Sequence, residues 1–184
     1  SACLVGSEMC IRDRDKVLEF LEQEEMIQTS NEVIKATFFG KRVSDLYIDP
    51  LSAIKLRDAL RNYTDGKTIF GFLQAICSTP DLLPLYLKVG EDIKYDEVVI
   101  RRSGELLLEP PNEFSEDYEF YLTEIKTACM IESWIDEKDE DELLSEFGIG
   151  PGDLRNKADT AEWLIYATRE LSNIFNKDAY PMLT

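Results

Sequence analysis

The sequence predicts a mainly α-helical protein: a helical bundle with one long exposed helix, preceded by a helix and a small β-hairpin. Three observations carry this prediction. Beyond Thr37 the apolar residues recur at helical spacing almost throughout. Turn signals cut that pattern into helix-sized pieces, at Asp49-Pro50, Asp65-Gly66, Thr79-Pro80, Gly104, Pro110-Pro111 and Gly148 to Gly152. The stretch 115–136 is apolar on nearly every side, as the central helix of a bundle has to be.

In chain order, Val17, Leu18, Phe20, Leu21 and Met26 mark a helix over 13–26, with charges between them. Met26–Thr29 and Val33–Thr37 flank Ser30-Asn31-Glu32 and read as a short hairpin. A helix followed by a hairpin fits the end of a winged-helix unit and, nearly as well, an ordinary helix and loop. Thr37 is the expected N-cap of the next helix. Helices then follow at about 38–47, 50–63, 68–78, 80–88, 92–103, 115–136, 139–147 and 151–176, and no period of 20–50 residues suggests a solenoid. In the central helix, Tyr118, Tyr121, Leu122, Ile125, Ala128 and Cys129 form one face, and Phe120, Met130, Ile131 and Trp134 the other. Trp134 reads as core. The expected domains are 1–37 and 38–184.

Composition narrows the function classes. The 184 residues are 44% hydrophobic and 31% charged, with 9 Gly and 7 Pro, a balance that excludes disordered and collagenous chains. No run approaches the ~20 apolar residues of a membrane span. His is absent, which removes Ser-His and Cys-His nucleophile pairs, His zinc sites and His proton shuttles. Cys3, Cys10, Cys77 and Cys129 include no CxxC pair and are expected to be reduced thiols of a cytoplasmic protein. The chain starts with Ser instead of Met and is expected to be a fragment of a longer one. The sequon Asn62-Tyr63-Thr64 reads as an accident of a turn.

The net charge of −17 is unevenly spread. Residues 91–146 hold 19 acidic and 5 basic side chains, whereas residues 1–90 and 147–184 are nearly neutral. The acidic segment reads as a solvated face, or as a surface for a basic partner. Either way, the ends remain free to meet a phosphate backbone.

Motifs for catalysis fail on inspection. Gly66-Lys67-Thr68 matches the end of a phosphate-binding loop, but that loop needs another Gly where Arg61 stands and a preceding strand. The acidic quartet Asp139 to Glu142 reads as a helix start, where acids oppose the positive end of the dipole. No catalytic constellation, cofactor site or metal site is expected. The last helix is more informative: Leu154, Ala158, Ala161, Leu164, Ile165 and Phe175 cluster on one side, and Trp163 projects among Asn156, Asp159, Thr160, Ala167 and Glu170. A Trp on a largely polar face calls for a cover. Other parts of a longer chain could supply it, and so could a stacked ligand.

Four blocks then carry a resemblance. They are Thr37-Phe38-Phe39-Gly40-Lys41-Arg42-Val43-Ser44-Asp45-Leu46-Tyr47-Ile48-Asp49-Pro50-Leu51-Ser52-Ala53; Ile76-Cys77-Ser78-Thr79-Pro80-Asp81; Glu124-Ile125-Lys126-Thr127-Ala128 with Trp134-Ile135; and Gly148-Ile149-Gly150-Pro151-Gly152-Asp153-Leu154-Arg155 leading to Thr160-Ala161-Glu162-Trp163-Leu164. In this order they closely resemble the C-terminal part of archaeal superfamily-two DNA helicases of the ski-two type, fork-repair enzymes akin to the helicase domain of polymerase theta.

The resemblance implies a fragment comprising the end of a winged-helix domain and the helical ratchet domain after it. ATP and Mg would belong to motor domains of the parent chain, and the fragment itself is expected to have no catalytic activity. In the family, the helix after the GPGDLR turn crosses the DNA path and its exposed Trp stacks on a base of the translocating strand; Trp163 matches that position. The family often carries an Arg two turns earlier, where this chain has Asn156, with Arg155 displaced by about 100°. The implied nucleic-acid-binding residues are Trp163, Asn156, Thr160, Arg155 and Lys157. The implied partners are single-stranded or forked DNA and the motor domains of the parent chain. The reading kept beside it is an architectural or protein-interaction domain without nucleic-acid contact.

Overall fold

A computed structural model describes residues 2–31 and 33–184, with side chains from residue 13 onward. Cys3 and Cys10 fall outside the described side chains. The chain forms two compact units, Ser1–Tyr47 and Ile48–Thr184.

In the first unit, α1 (Ala2–Gln23) leads into a two-stranded antiparallel hairpin, β1 (Ile27–Ser30) with β2 (Val33–Ala36), in which Ser30 faces Val33 and Ile27 faces Ala36. Asn31 takes the left-handed conformation that the tight loop demands, at φ 49°. The buried Met26 anchors the hairpin's base, and its carbonyl accepts the Thr37 N–H at 3.0 Å. Thr37 is the N-cap of α2 (Phe38–Leu46): its hydroxyl accepts the Gly40 N–H at 3.0 Å and donates to the Glu25 carbonyl at 2.6 Å. Gly40 lies so close to the Met26 carbonyl that a Cβ could not fit. These contacts place α2 with the hairpin in the first compact unit.

The second unit is a bundle of α3 (Pro50–Asn62), α4 (Ile69–Cys77), α5 (Glu91–Arg102), α6 (Asp117–Ile135), α7 (Glu140–Phe147) and α8 (Pro151–Phe175), closed by a 3-10 helix, Lys177–Leu183, that the sequence reading lacks. Asp49 caps α3 through the Leu51 N–H at 2.8 Å, with Pro50 in the first turn. Asp139 caps α7, so the acidic quartet is a helix start. The central helix is α6, which packs on α4, α5, α7 and α8 and is buried at ten of its positions. Thr68 precedes α4 but does not cap it; its hydroxyl donates to Glu105, while Lys67 donates to the carbonyls of Gly104 and Leu106 at 2.5 and 3.2 Å. The partial phosphate motif is thus a structural clasp. Arg102 forks between Glu105 and Glu132 at 2.5–2.8 Å and stacks on Phe70 at 3.6 Å, tying α4, α5 and α6.

Three expectations need correction. The helix expected over 80–88 does not form: 80–82 are turn and bend, and 83–88 have no regular secondary structure. Pro84 has no N–H to donate and biases Leu83 away from the helical region, and the backbone groups of this segment bond outward to α6 and α8. The Leu85 N–H donates to the Thr127 hydroxyl at 2.8 Å, and the Lys126 ammonium donates to the Tyr86 carbonyl at 2.9 Å. Trp134 is half-buried and not sealed in the core, because α6 ends at Ile135 and its last turn faces a groove. Phe120, expected on a buried face of the same helix, is exposed.

Two predictions follow from the packing. A Cβ at Gly71 would fall on the Glu105 carbonyl and the Leu107 side chain, and backbone cannot step aside as a side-chain tip can. Gly71→Ala should therefore destabilise the fold by about 1–3 kcal/mol in urea titration despite its gain in helix propensity. An unchanged or raised midpoint would contradict the clash. Second, burial pushes the Glu124 carboxyl up to about 7, with Lys55 and the Gln74 amide, 3.3 Å away, only partly opposing it. Between the ordinary carboxylate range and pH 7, an unfolded chain ionises this group while the folded chain resists. Stability from Glu124 is thus complete at low pH and lost as pH rises through about 7. Glu124→Gln should flatten this slope and add ~2 kcal/mol at pH 8 with little change at pH 4; parallel stability curves for the two proteins would refute it.

Candidate nucleic-acid interface

The α7–α8 corner is set by backbone chemistry. Gly148 closes α7 in the left-handed conformation at φ 64°, with its N–H bonded to the Leu144 carbonyl. A side chain there would collide with the Lys88 ammonium. Pro151 then opens α8, whose 25 residues give a rod about 37 Å long. Its buried stripe runs through Leu154, Ala161, Leu164, Ala167, Thr168, Leu171 and Ser172, and packs against α3, α4 and α6. At the far end, the Asn176 amide donates to the carbonyls of Leu60 and Tyr63 at 2.9 and 3.1 Å, fixing α8 to the end of α3.

Of the sequence-predicted residues, Asn156, Thr160 and Trp163 fall on successive turns of α8 and share one face. Asn156 is exposed, while Thr160 and Trp163 are half-buried at the margin of the packed stripe. The Thr160 hydroxyl is occupied by the Asn156 carbonyl at 2.9 Å, one turn back. Trp163 makes no hydrogen bond among the described residues, and its indole N–H is not sealed from solvent. Arg155 is exposed and forms no ion pair among the described residues. Lys157 is different: its ammonium donates to the Leu83 carbonyl of the 83–88 segment, and burial lowers its pKa. It holds the fold together at this point, so of the two expected cations only Arg155 is uncommitted.

The sequence reading missed what lies on the other side of the helix. Trp134, Ile131 and Ile135 of α6 and Ala158, Ala161 and Ile165 of α8 line an open groove, with Asp159 and Glu162 on its rim. The 3.6-residue period that places Ala158 and Ile165 there puts Trp163 roughly opposite. The two indoles thus serve different surfaces. A half-covered aromatic on a well-anchored helix, with polar neighbours and one uncommitted guanidinium, can stack on a planar group without reading its hydrogen-bonding edge. Elsewhere, Cys77 is buried and its thiol is pushed well up by desolvation, and that of Cys129 is raised to about 11. Both are unsuited to nucleophilic work. The described residues contain no cluster of acids and cysteines that could hold a metal ion and no helix long and apolar enough to cross a membrane.

Comparison with known proteins agrees with the resemblance read from the four sequence blocks. Residues 70–184 match the family model described as "Archaeal helicase, domain 4". The chain is 39% identical over 170 residues to the ATP-dependent DNA helicase Hel308 of Methanocella arvoryzae, an alignment that covers 90% of the chain and 23% of that relative. It is 34% identical over 161 residues to the Hel308 of Pyrococcus horikoshii, covering 88% of the chain and 22% of the relative. It therefore spans under a quarter of the length of these relatives. With more than half of its residues in the family match, including all of α5 to α8, this chain belongs to the archaeal helicase domain 4 family.

Proposed function

We propose that the chain is the ratchet domain of an ATP-dependent DNA helicase acting at forks or in repair, and that it holds single-stranded DNA by stacking a base on Trp163 during translocation. On this reading the helix and hairpin of the first unit are the end of a winged-helix domain, and motor domains elsewhere in the parent chain bind ATP and Mg. The fragment grips and does not hydrolyse.

The observation that carries the proposal is the setting of Trp163. A Trp with an unpartnered, solvent-reachable indole N–H stands at the edge of the packed face of α8, in a chain whose relatives are named as DNA helicases. Asn156 and Thr160 would flank the stacked base, with Arg155 supplying charge to a phosphate. With Lys157 committed to Leu83 and a net charge of −17, the domain alone should bind DNA weakly and with steep loss in salt.

Trp163→Ala in the full helicase should weaken single-strand binding by ~1–3 kcal/mol, the usual worth of one base–aromatic stack. Its cost to folding should stay well below the ~3–5 kcal/mol of a sealed core Trp. Asn156→Arg should tighten binding by adding a cation two turns before Trp163 on the same face. Fluorescence titration with oligo-dT, in a Trp134→Phe background, reads the stack directly as quenching of Trp163. A large stability loss for Trp163→Ala with unquenched fluorescence and normal unwinding would reject the proposal.

A further inference from the structure

The acidic segment contains a second surface unlike the α8 face. A groove of about 630 Å³ opens between the start of α5 and the start of α6, within the range of clefts that hold ligands. Part of its apolar lining is turned outward: Val89 is fully exposed and Ile93 is 67% exposed, while Leu122 at its floor is buried. Three carboxylates, Asp92, Glu113 and Glu119, line the same groove and form no ion pair or hydrogen bond among the described residues. Lys88 also lines it, but its ammonium lies against Gly148. The Tyr118 hydroxyl donates to Asp96 at 2.6 Å, so α6 and α5 are pinned together along the groove.

We propose that this groove docks a lysine- and arginine-rich peptide segment of a partner protein, with at least one apolar side chain of the peptide seated on Val89 and Ile93. Charge complementarity selects the occupant. Three uncompensated carboxylates around exposed aliphatic side chains repel phosphate, so the site is closed to nucleic acid and is independent of Trp163. The carboxylates do not converge into a set that could hold a metal ion. A flexible ammonium or guanidinium can reach each one separately while an apolar neighbour covers the aliphatic floor.

The test uses a fluorescein-labelled 12-residue peptide of lysine and leucine, followed by anisotropy in physiological salt. Asp92→Lys with Glu119→Lys should weaken binding at least tenfold, and Val89→Ser with Ile93→Ser at least fivefold. Glu140→Lys with Asp141→Lys, at the start of α7, changes the net charge equally and should weaken binding less than twofold. Circular dichroism confirms that each variant folds. Equal losses from the α7 pair would show a diffuse field in place of a site and overturn the proposal. Equal binding of a lysine–glycine peptide would do the same, as would self-association of the chain that disappears with Val89→Ser and Ile93→Ser.

Discussion

Much of the larger unit depends on how α6 handles polar side chains in a dry place. Lys126 is 1% exposed, a position where an ammonium without partners would be prohibitively costly. Its charge is met by the Glu91 carboxylate at 2.5 Å and by the Tyr86 carbonyl. Burial alone would raise the Glu91 carboxyl, but the hydrogen bonds from Lys126 and the Lys88 N–H outweigh it and hold the group below the ordinary range. One buried cation therefore fixes the 83–88 segment and the first turn of α5 at once. Thr127, its neighbour, receives the Leu85 N–H, and Lys157 of α8 takes the Leu83 carbonyl. A segment without regular secondary structure thus finds hydrogen bonds on two helices.

That arrangement explains what sequence could and could not reveal. The helices were legible because their apolar residues repeat at the helical period and their ends carry strong signals: Asp49-Pro50, Asp139, and the Gly148 to Pro151 turn. The Leu82 to Leu87 run has the apolar content of a helix, and its true partners lie 40 or more residues away in α6 and α8, beyond any local pattern. Trp134 misled for a related reason. Its near neighbours Met130 and Ile131 are buried, but whether the last turn of a helix is covered depends on what packs beyond it.

The helix face that carries the proposed site was legible to the same degree. The face shared by Asn156, Thr160 and Trp163 follows from helical geometry alone, and the structure keeps it. The commitment of Lys157 to a carbonyl does not follow, since a lysine on a wheel looks the same whether its ammonium meets water or backbone. Likewise, the concentration of acid in 91–146 could be counted, but only folding brings Glu113 and Glu119 opposite Asp92 and Ile93. The acidic groove and the α8 face are chemically different surfaces of one unit, so on the proposed reading a negatively charged chain would offer an aromatic to a polyanion at one place and refuse it at another.

The corner at Gly148 bears on the mechanics of α8. Trp163 lies 15 residues beyond that glycine, a lever of about 22 Å. A tilt of about 10° at the corner would sweep the ring through about 4 Å, slightly more than the ~3.4 Å between successive bases of a duplex strand. At that corner the tip of the Lys88 side chain occupies the space a Cβ on Gly148 would need. A small change of angle at this left-handed glycine is thus magnified along the rod into an ångström-scale displacement of the ring.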